Sequence, residues 1–370
     1  MLRIVKKSEV NRRDSIIIRT IAIILALIIV GIFILSLGIN PLKVYTSMVE
    51  GAFGSDIKIK KTIIKAIPLL ITSLGVSVAF KMQFWNIGGE GQILMGAFSA
   101  AFVALKFPGI PKPVLLLLMA VAGIIGGGIW AFIPALFKSK WGTNETIVTL
   151  MMNYIALSWI TYLQYDLWKD PKALGFPKIP NFSDNAILPK VLGIHMGWII
   201  AVILVLVIYV FMNYTKKGYE ISVLGESERT AQYAGINIKN TIISAVFLSG
   251  GLCGLTGMVQ ASAIGNTLSV EVAGGVGYTA IIVAWLASLS APIIMIVSVL
   301  FAGLLQGGAY IQTAFGIPDA AALVLQGTIL FFVLGSEFFV KYKVLVRDKK
   351  DENKKDGNKK AIKGAEQWVQ

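Results

Sequence analysis

The chain reads as a succession of apolar runs, each long enough to cross or nearly cross a bilayer, parted by short polar or Gly/Pro-rich connections. The pattern predicts ten spans, near 18–38, 63–82, 88–106, 113–137, 145–165, 196–213, 241–262, 274–290, 291–313 and 320–341. In lipid the backbone of such runs must be satisfied internally, which means helix. The expected fold class is an all-α polytopic membrane protein with about ten transmembrane helices. The first run, Ile16–Leu37, follows a basic start, but it exceeds the ~7–15 residues of a signal-peptide core. No small-x-small cleavage pattern follows it, so a retained anchor is expected.

Two motifs recur along this series. Gly88-Gly89-Glu90-Gly91-Gln92 opens one apolar run, and Gly274-Gly275-Val276-Gly277-Tyr278 opens another 186 residues later. Gly142-Thr143-Asn144-Glu145 precedes the fifth span, and Gly316-Ile317-Pro318-Asp319 precedes the tenth, 174 residues on. Spans 2–5 begin outside and spans 7–10 begin inside, so the halves would be inverted repeats. Gly-interrupted segments at matching positions of such repeats point to a transport path. Chance similarity between Gly-rich stretches is the alternative.

Composition agrees with the spans. The chain has 370 residues, is 56% hydrophobic and has a mean hydropathy of +0.74, against roughly 45–50% apolar residues in soluble domains. Most of its net charge of +14 sits at the ends: residues 1–19 hold six Lys/Arg against two acids, and 341–363 hold ten against four. Basic flanks beside spans mark the cytoplasmic side and attract anionic membrane lipids. Both termini are expected inside: a basic N-terminus over 1–17, a transmembrane domain over 18–341, and a disordered basic tail over 342–370. This placement argues against nucleic acid as a partner. Lys58, Lys60, Lys61 and Lys65 conflict with the scheme, since it puts them outside. Cys253 is the only cysteine and His195 the only histidine. A disulfide and a His-cluster metal site are thereby excluded, with core packing expected for Cys253 and an interfacial place for His195.

Polar side chains inside apolar surroundings are the candidates for chemistry. Asn86, Glu90 and Gln92 lie among four glycines between two spans, as a helix break beside a permeation path would require, or as an interfacial turn. Asn144 can cap the fifth span, whose first turn favours Glu145. Thr149 and Asn153 follow on one face of that span. Asn153 offers donors and an acceptor to a sugar hydroxyl or a base edge, or to a neighbouring helix. No phosphate-binding G-x-x-x-x-G-K-[ST] loop, H-E-x-x-H, G-x-S-x-G or C-x-x-C is present, so no catalytic residue, metal or cofactor is assigned.

Between the sixth and seventh spans lies a polar island, residues 215–240, TKKGYEISVLGESERTAQYAGINIKN. Ser227 can cap a helix over about 228–234, and Gly235 can end it in the left-handed conformation. A short capped helix at the membrane surface suits a docking role; an ordinary connection is the alternative.

The runs FWNIGGEGQILMGAF and TNETIVTLMMNYIA and the island TKKGYEISVLGESERTAQYAGI resemble the permease subunits of bacterial ABC importers. The similar group is that of the ribose and branched-chain amino-acid permeases, within it the nucleoside-uptake branch, over about 20–340. The resemblance implies a gated path for nucleosides, or alternatively simple sugars, in the bacterial cytoplasmic membrane. It implies that Asn86, Glu90, Gln92, Asn144, Glu145, Thr149 and Asn153 border that path. It also implies that the island is the loop coupled to an ATPase, with Gly218, Gly225, Glu226, Ala231, Ala234 and Gly235 matching its pattern. The partners implied are a cytoplasmic ABC ATPase, where hydrolysis would reside, a second homologous permease subunit, and an extracytoplasmic substrate-binding lipoprotein. The sequence departs from the family's pattern at Ser227-Glu228, where Asn-Pro is usual, and at Thr230, where a small residue is usual. An ion-coupled secondary transporter, which also uses inverted repeats, is the rival class.

Overall fold

A computed structural model describes residues 2–6 and 12–346. In chain order the elements are β1 (Leu2–Lys6), α1 (Arg12–Ser36), α2 (Pro41–Phe53), α3 (Asp56–Lys81), α4 (Gly89–Lys106), α5 (Lys112–Trp141) and α6 (Glu145–Tyr162). There follow β2 (Lys190–Val191), β3 (Ile194–His195), α7 (Gly197–Tyr214), α8 (Lys216–Glu226), α9 (Glu228–Tyr233) and α10 (Ile238–Gln260). The last are α11 (Val276–Leu286), α12 (Ala291–Phe315), α13 (Asp319–Lys341) and β4 (Tyr342–Val346). π turns at Leu163–Leu167 and Ala261–Gly265 extend α6 and α10.

Among the described residues, eight helices are long and apolar enough to cross a membrane: α1, α3, α5, α6, α7, α10, α12 and α13. With α4 and the shorter α11 they account for the ten runs. The protein is an all-α, multi-pass membrane protein. At ~1.5 Å per residue α11 is only about half a bilayer long.

The chain divides into two compact units, 1–45 with 318–370, and 46–317. In the first, α1 packs along α13, and β1 pairs antiparallel with β4, Leu2 opposite Val346. A strand at 342–346 stands where the sequence suggests the start of a structureless tail. Its Tyr-Lys-Val-Leu-Val run favours extended backbone, and β1 supplies the partner. The tail beyond Val346 lies outside the described residues.

In the second unit, α3 and α10 are buried along most of their length, and every other long helix packs around them. Thr72 Oγ1 donates to Thr256 Oγ1 at 3.0 Å, while Gly75 lies against Leu252 and Ser249. As one helix advances the other retreats, so α3 and α10 run antiparallel. Their surroundings match. α3 packs on α10, α11 and α12, and α10 packs on α3, α4 and α5. Ser73 Oγ donates to the Ala280 carbonyl of α11; in the other half Gly257 meets the Ile93 carbonyl of α4. Gly142 and Gly316 end α5 and α12 with nearly identical left-handed angles, φ 65°, ψ 21° and φ 64°, ψ 24°. These are inverted repeats.

Glycines bring α4, α5 and α10 into backbone contact. A Cβ on Gly254 would collide with the Gly123 carbonyl oxygen, and one on Gly96 with Gly254 itself. Small residues at such seams let membrane helices gain van der Waals contact where lipid offers no hydrophobic drive. By contrast α7 turns Val202, Ile203, Leu206, Val207 and Val210 outward, an aliphatic face suited to lipid. Cys253 is fully buried beside Gly75, as its apolar setting suggests. His195 is buried in the β2–β3 hairpin, two residues before α7 begins.

Helix α3 starts at Asp56, earlier than hydropathy alone suggests, because Ser55 caps it by accepting from Lys58 N and Asp56 suits its first turn. Two of the conflicting lysines are thereby paired: Lys58 with Glu50 at 3.3 Å and Lys60 with Asp56 at 2.5 Å. Local acids offset charges that the statistical rule counts singly.

Candidate functional site

The site forms where two chain breaks, 82–88 after α3 and 266–275 after α10, let helices start again inside the bundle. Asn86 is fully buried in the first break. Its Nδ2 donates to Gln92 Oε1 and to Ser249 Oγ, both at 3.1 Å. Its Oδ1 accepts from Gln92 Nε2 at 2.9 Å and from Gly88 N at 3.1 Å. Ser249 lies midway along α10, so this break reaches the middle of the bundle. The two amides satisfy each other, as buried polar groups must.

Glu90, in the first turn of α4, crosses to the other repeat. Its Oε1 accepts from Gly275 N and its Oε2 from Gly277 N, each at 2.8 Å. A carboxylate is an acceptor at both oxygens, and a helix N-terminus presents unpaired donors, so each completes the other. Gly277 is required there, since a Cβ would meet the Glu90 backbone.

Asn153 does for α4 what Glu90 does for α11. Its Oδ1 accepts from Gly91 N at 2.8 Å, while Nδ2 donates to the Ile87 carbonyl at 3.0 Å and to the Tyr278 hydroxyl at 3.3 Å. Thr149, one turn earlier, is buried and bonds back to the Glu145 carbonyl. Sequence reasoning named Asn86, Glu90 and Gln92 as one group and Thr149 and Asn153 as another, and the structure brings the two groups together. That reasoning missed Ser249, whose single hydroxyl carries no local signal, and it saw Gly275, Gly277 and Tyr278 only as part of a repeat.

Asn144 and Glu145 lie at the margin of this cluster. Asn144 caps α6 through Thr146 N and Ile147 N. Glu145 is buried and pairs with Lys138 of α5 at 2.8 Å. Both therefore fix the α5–α6 turn.

The polar island folds as two helices. Thr215 caps α8 by accepting from Gly218 N, and Ser227 caps α9 by accepting from Thr230 N at 3.3 Å. Gly235 takes φ 71°, and Ile236 N reaches back to the Ala231 carbonyl at 3.0 Å, a left-handed helix stop. The expected short helix is present; α8 before it was not legible, because its apolar positions are few. Ala231 is fully buried, whereas Tyr233 is 94% exposed, so α9 holds one face to the protein and offers the other.

Gly218 and Gly225 are contact points. A Cβ on Gly218 would strike the Phe211 carbonyl, and one on Gly225 the Lys81 carbonyl at the end of α3. Gln83 Nε2 also donates to the Gly225 carbonyl at 2.5 Å. Gln83 itself is left-handed at φ 59° and stands three residues before Asn86. The corner between α8 and α9 is thus joined to the first break through the Lys81 main chain and the Gln83 side chain. Beside it opens a cavity of 760 Å³ bordered by Phe84, Lys138, Leu224, Ser227, Gln232 and Ile242. Glu226 borders the same space, and Ala234 is exposed.

Inverted halves, re-entering breaks and helix N-termini that meet inside the bundle define a membrane transport protein. The chain belongs to the family described as the permease component of the branched-chain amino acid transport system, whose sequence profile matches residues 59–334. It is 32% identical over 341 residues to the glucose ABC transporter permease of Haloferax volcanii, covering 88% of each chain. It is 30% identical to the nucleoside ABC transporter permease of Lactococcus lactis, over 87% of this chain and 92% of that one. Identity to the guanosine ABC transporter permease of Bacillus subtilis is 29%, over 88% and 95% respectively.

Proposed function

We propose that the protein is the membrane subunit of an ATP-driven importer and forms the passage through which nucleosides enter the cell. The coupling corner carries this reading. A short capped helix, exposed on one side, bears through Gly225 on the segment that leads to Asn86 and Glu90. A cytoplasmic ATPase gripping α9 could thereby move the first break without touching cargo. Hydrolysis then belongs to that ATPase, and this chain is not itself an enzyme. A second permease of the same family would complete the passage, and an extracytoplasmic lipoprotein would deliver the cargo. Both termini would face the cytoplasm.

The nucleoside reading draws on the two relatives named for guanosine and nucleosides, each matched over more than nine-tenths of its own length. The Asn153–Tyr278 pair suits it, since amide and phenol can exchange hydrogen bonds with a neutral, hydroxylated or heterocyclic cargo. The relative named for glucose favours a sugar as the second reading.

Reconstitution with the ATPase and the binding protein tests both. Labelled guanosine, adenosine, uridine, ribose and glucose are offered to the same vesicles. Nucleosides should accumulate only with ATP and binding protein present. Sugar uptake without nucleoside uptake would move the cargo to the second reading. Transport by this chain alone, following a proton or sodium gradient, would sink the importer reading.

A further inference from the structure

We infer that Glu90 is a built-in anion that fills the N-terminus of α11, so that this end of the passage is closed to anionic cargo and favours neutral molecules. The inference rests on the transport reading above and gives a physical ground for the uncharged cargo it names.

Helix N-termini aimed into a membrane protein attract anions, and broken-helix transporters use them to hold charged substrate groups. Here α4 and α11 both begin inside the bundle, close enough that a Cβ added to Gly89 would stand 3.5 Å from the Gly277 Cα. Neither N-terminus is vacant. Glu90 spans the gap and takes the N–H groups of Gly275 and Gly277, one with each oxygen. The seat is shaped for it, since Gly277 has no room for a side chain beside the Glu90 backbone. At α4 the acceptor is the neutral Asn153 amide. The groups left to meet cargo at this junction are therefore uncharged, with Tyr278 42% exposed and bonded to Asn153. A phosphate or carboxylate on the cargo would find the N–H pair taken and a fixed negative charge beside it.

The tethered carboxylate should be replaceable by a free one. The purified transporter complex is unfolded thermally in rising formate, with ionic strength held by gluconate, which is too bulky for the seat. Glu90→Ala should unfold several degrees lower than wild type, and formate should restore the midpoint saturably. Wild type should ignore formate. A Glu90→Ala complex that is normal without formate, or weakened and unresponsive to it, overturns the inference. If Glu90→Ala does not assemble, Glu90→Asp and Glu90→Gln decide. Aspartate keeps the charge one methylene short, whereas glutamine keeps the length without the charge. The midpoint should fall less for Asp than for Gln, and the reverse order overturns the inference. The midpoint is read without cargo, so failure here is separate from failure of nucleoside uptake.

Discussion

Thr72 and Thr256 are 184 residues apart in sequence, occupy the same place in the two halves, and meet hydroxyl to hydroxyl at 3.0 Å. Both are fully buried. A contact between equivalent residues of two inverted copies lies on the axis that relates them, so this pair marks the pseudo-two-fold of the bundle. Thr72→Val and Thr256→Val keep shape and remove the bond. Each should cost about 1 kcal/mol, and the double variant should cost less than the two together. Unfolding midpoints in detergent of the three variants check this; strict additivity would mean that the two hydroxyls contribute no bond.

Gly254→Ala should prevent correct assembly of α4, α5 and α10. The added methyl meets the Gly123 carbonyl and the Gly127 backbone, and overpacking of this kind costs on the order of 1–3 kcal/mol or more. Gly327→Ala in α13 is the control, because nothing lies within 4 Å of its Cβ position. Folded yield measured by size exclusion should collapse for the first and hold for the second.

Gly225→Val should leave insertion intact yet weaken the link between ATP hydrolysis and transport, since the side chain must push the α8–α9 corner off Lys81. Gly235→Val combined with Glu226→Ala should act similarly from the other end of α9. A β-branched residue at φ 71° costs roughly 1–3 kcal/mol. Cargo-stimulated ATP hydrolysis is the readout. Normal stimulation in both variants would reduce the island to a plain connection.

Single cysteines at positions 90 and 153, in a Cys253→Ala background, should react with water-soluble thiol reagents in at least one state of the ATP cycle. Both side chains are engaged in the described state, so labelling should rise when the cycle opens the junction. Inertness in every state would leave them as packing groups. Asn153→Ala should lower flux for several cargos alike without reordering preference, as measured by competition uptake.

Glu220 offers a test by pH. A hydrogen bond from Lys217 at 2.7 Å, aided by Thr241 at 3.3 Å, holds its carboxyl below the ordinary value of 4.5, while burial opposes. A depressed folded-state pKa gives stability that is present above the unfolded value and lost as pH falls through the folded one. Glu220→Gln should therefore loosen α8 near neutral pH, and its difference from wild type should close on acidification below 4.5. Hydrogen exchange in 216–226 across pH measures it.

The spans were legible because lipid imposes one rule on long apolar runs. The repeat was legible at Gly142 and Gly316, where the left-handed backbone needs glycine in both halves. The Ser227–Gly235 helix was legible because its start and stop are local. The partners of Glu90 were not, because Gly275 and Gly277 offer only backbone N–H groups, and any residue carries those. Asn153 could be placed on the right face of α6, but its role as the cap of α4 depends on Gly91, 62 residues earlier in the first turn of that helix.

The corner at Gly225 touches α3 through main-chain atoms, the Lys81 carbonyl above all. A carbonyl oxygen is the same whatever side chain accompanies it. Force passed at this point is read as position, not as chemical identity, so the side chains at 81 and 82 are free to suit the membrane surface. A change of bulk at 225 is enough to silence the signal. The linkage thus resembles a lever bearing on a stop, tolerant of varied surroundings and intolerant of a shim.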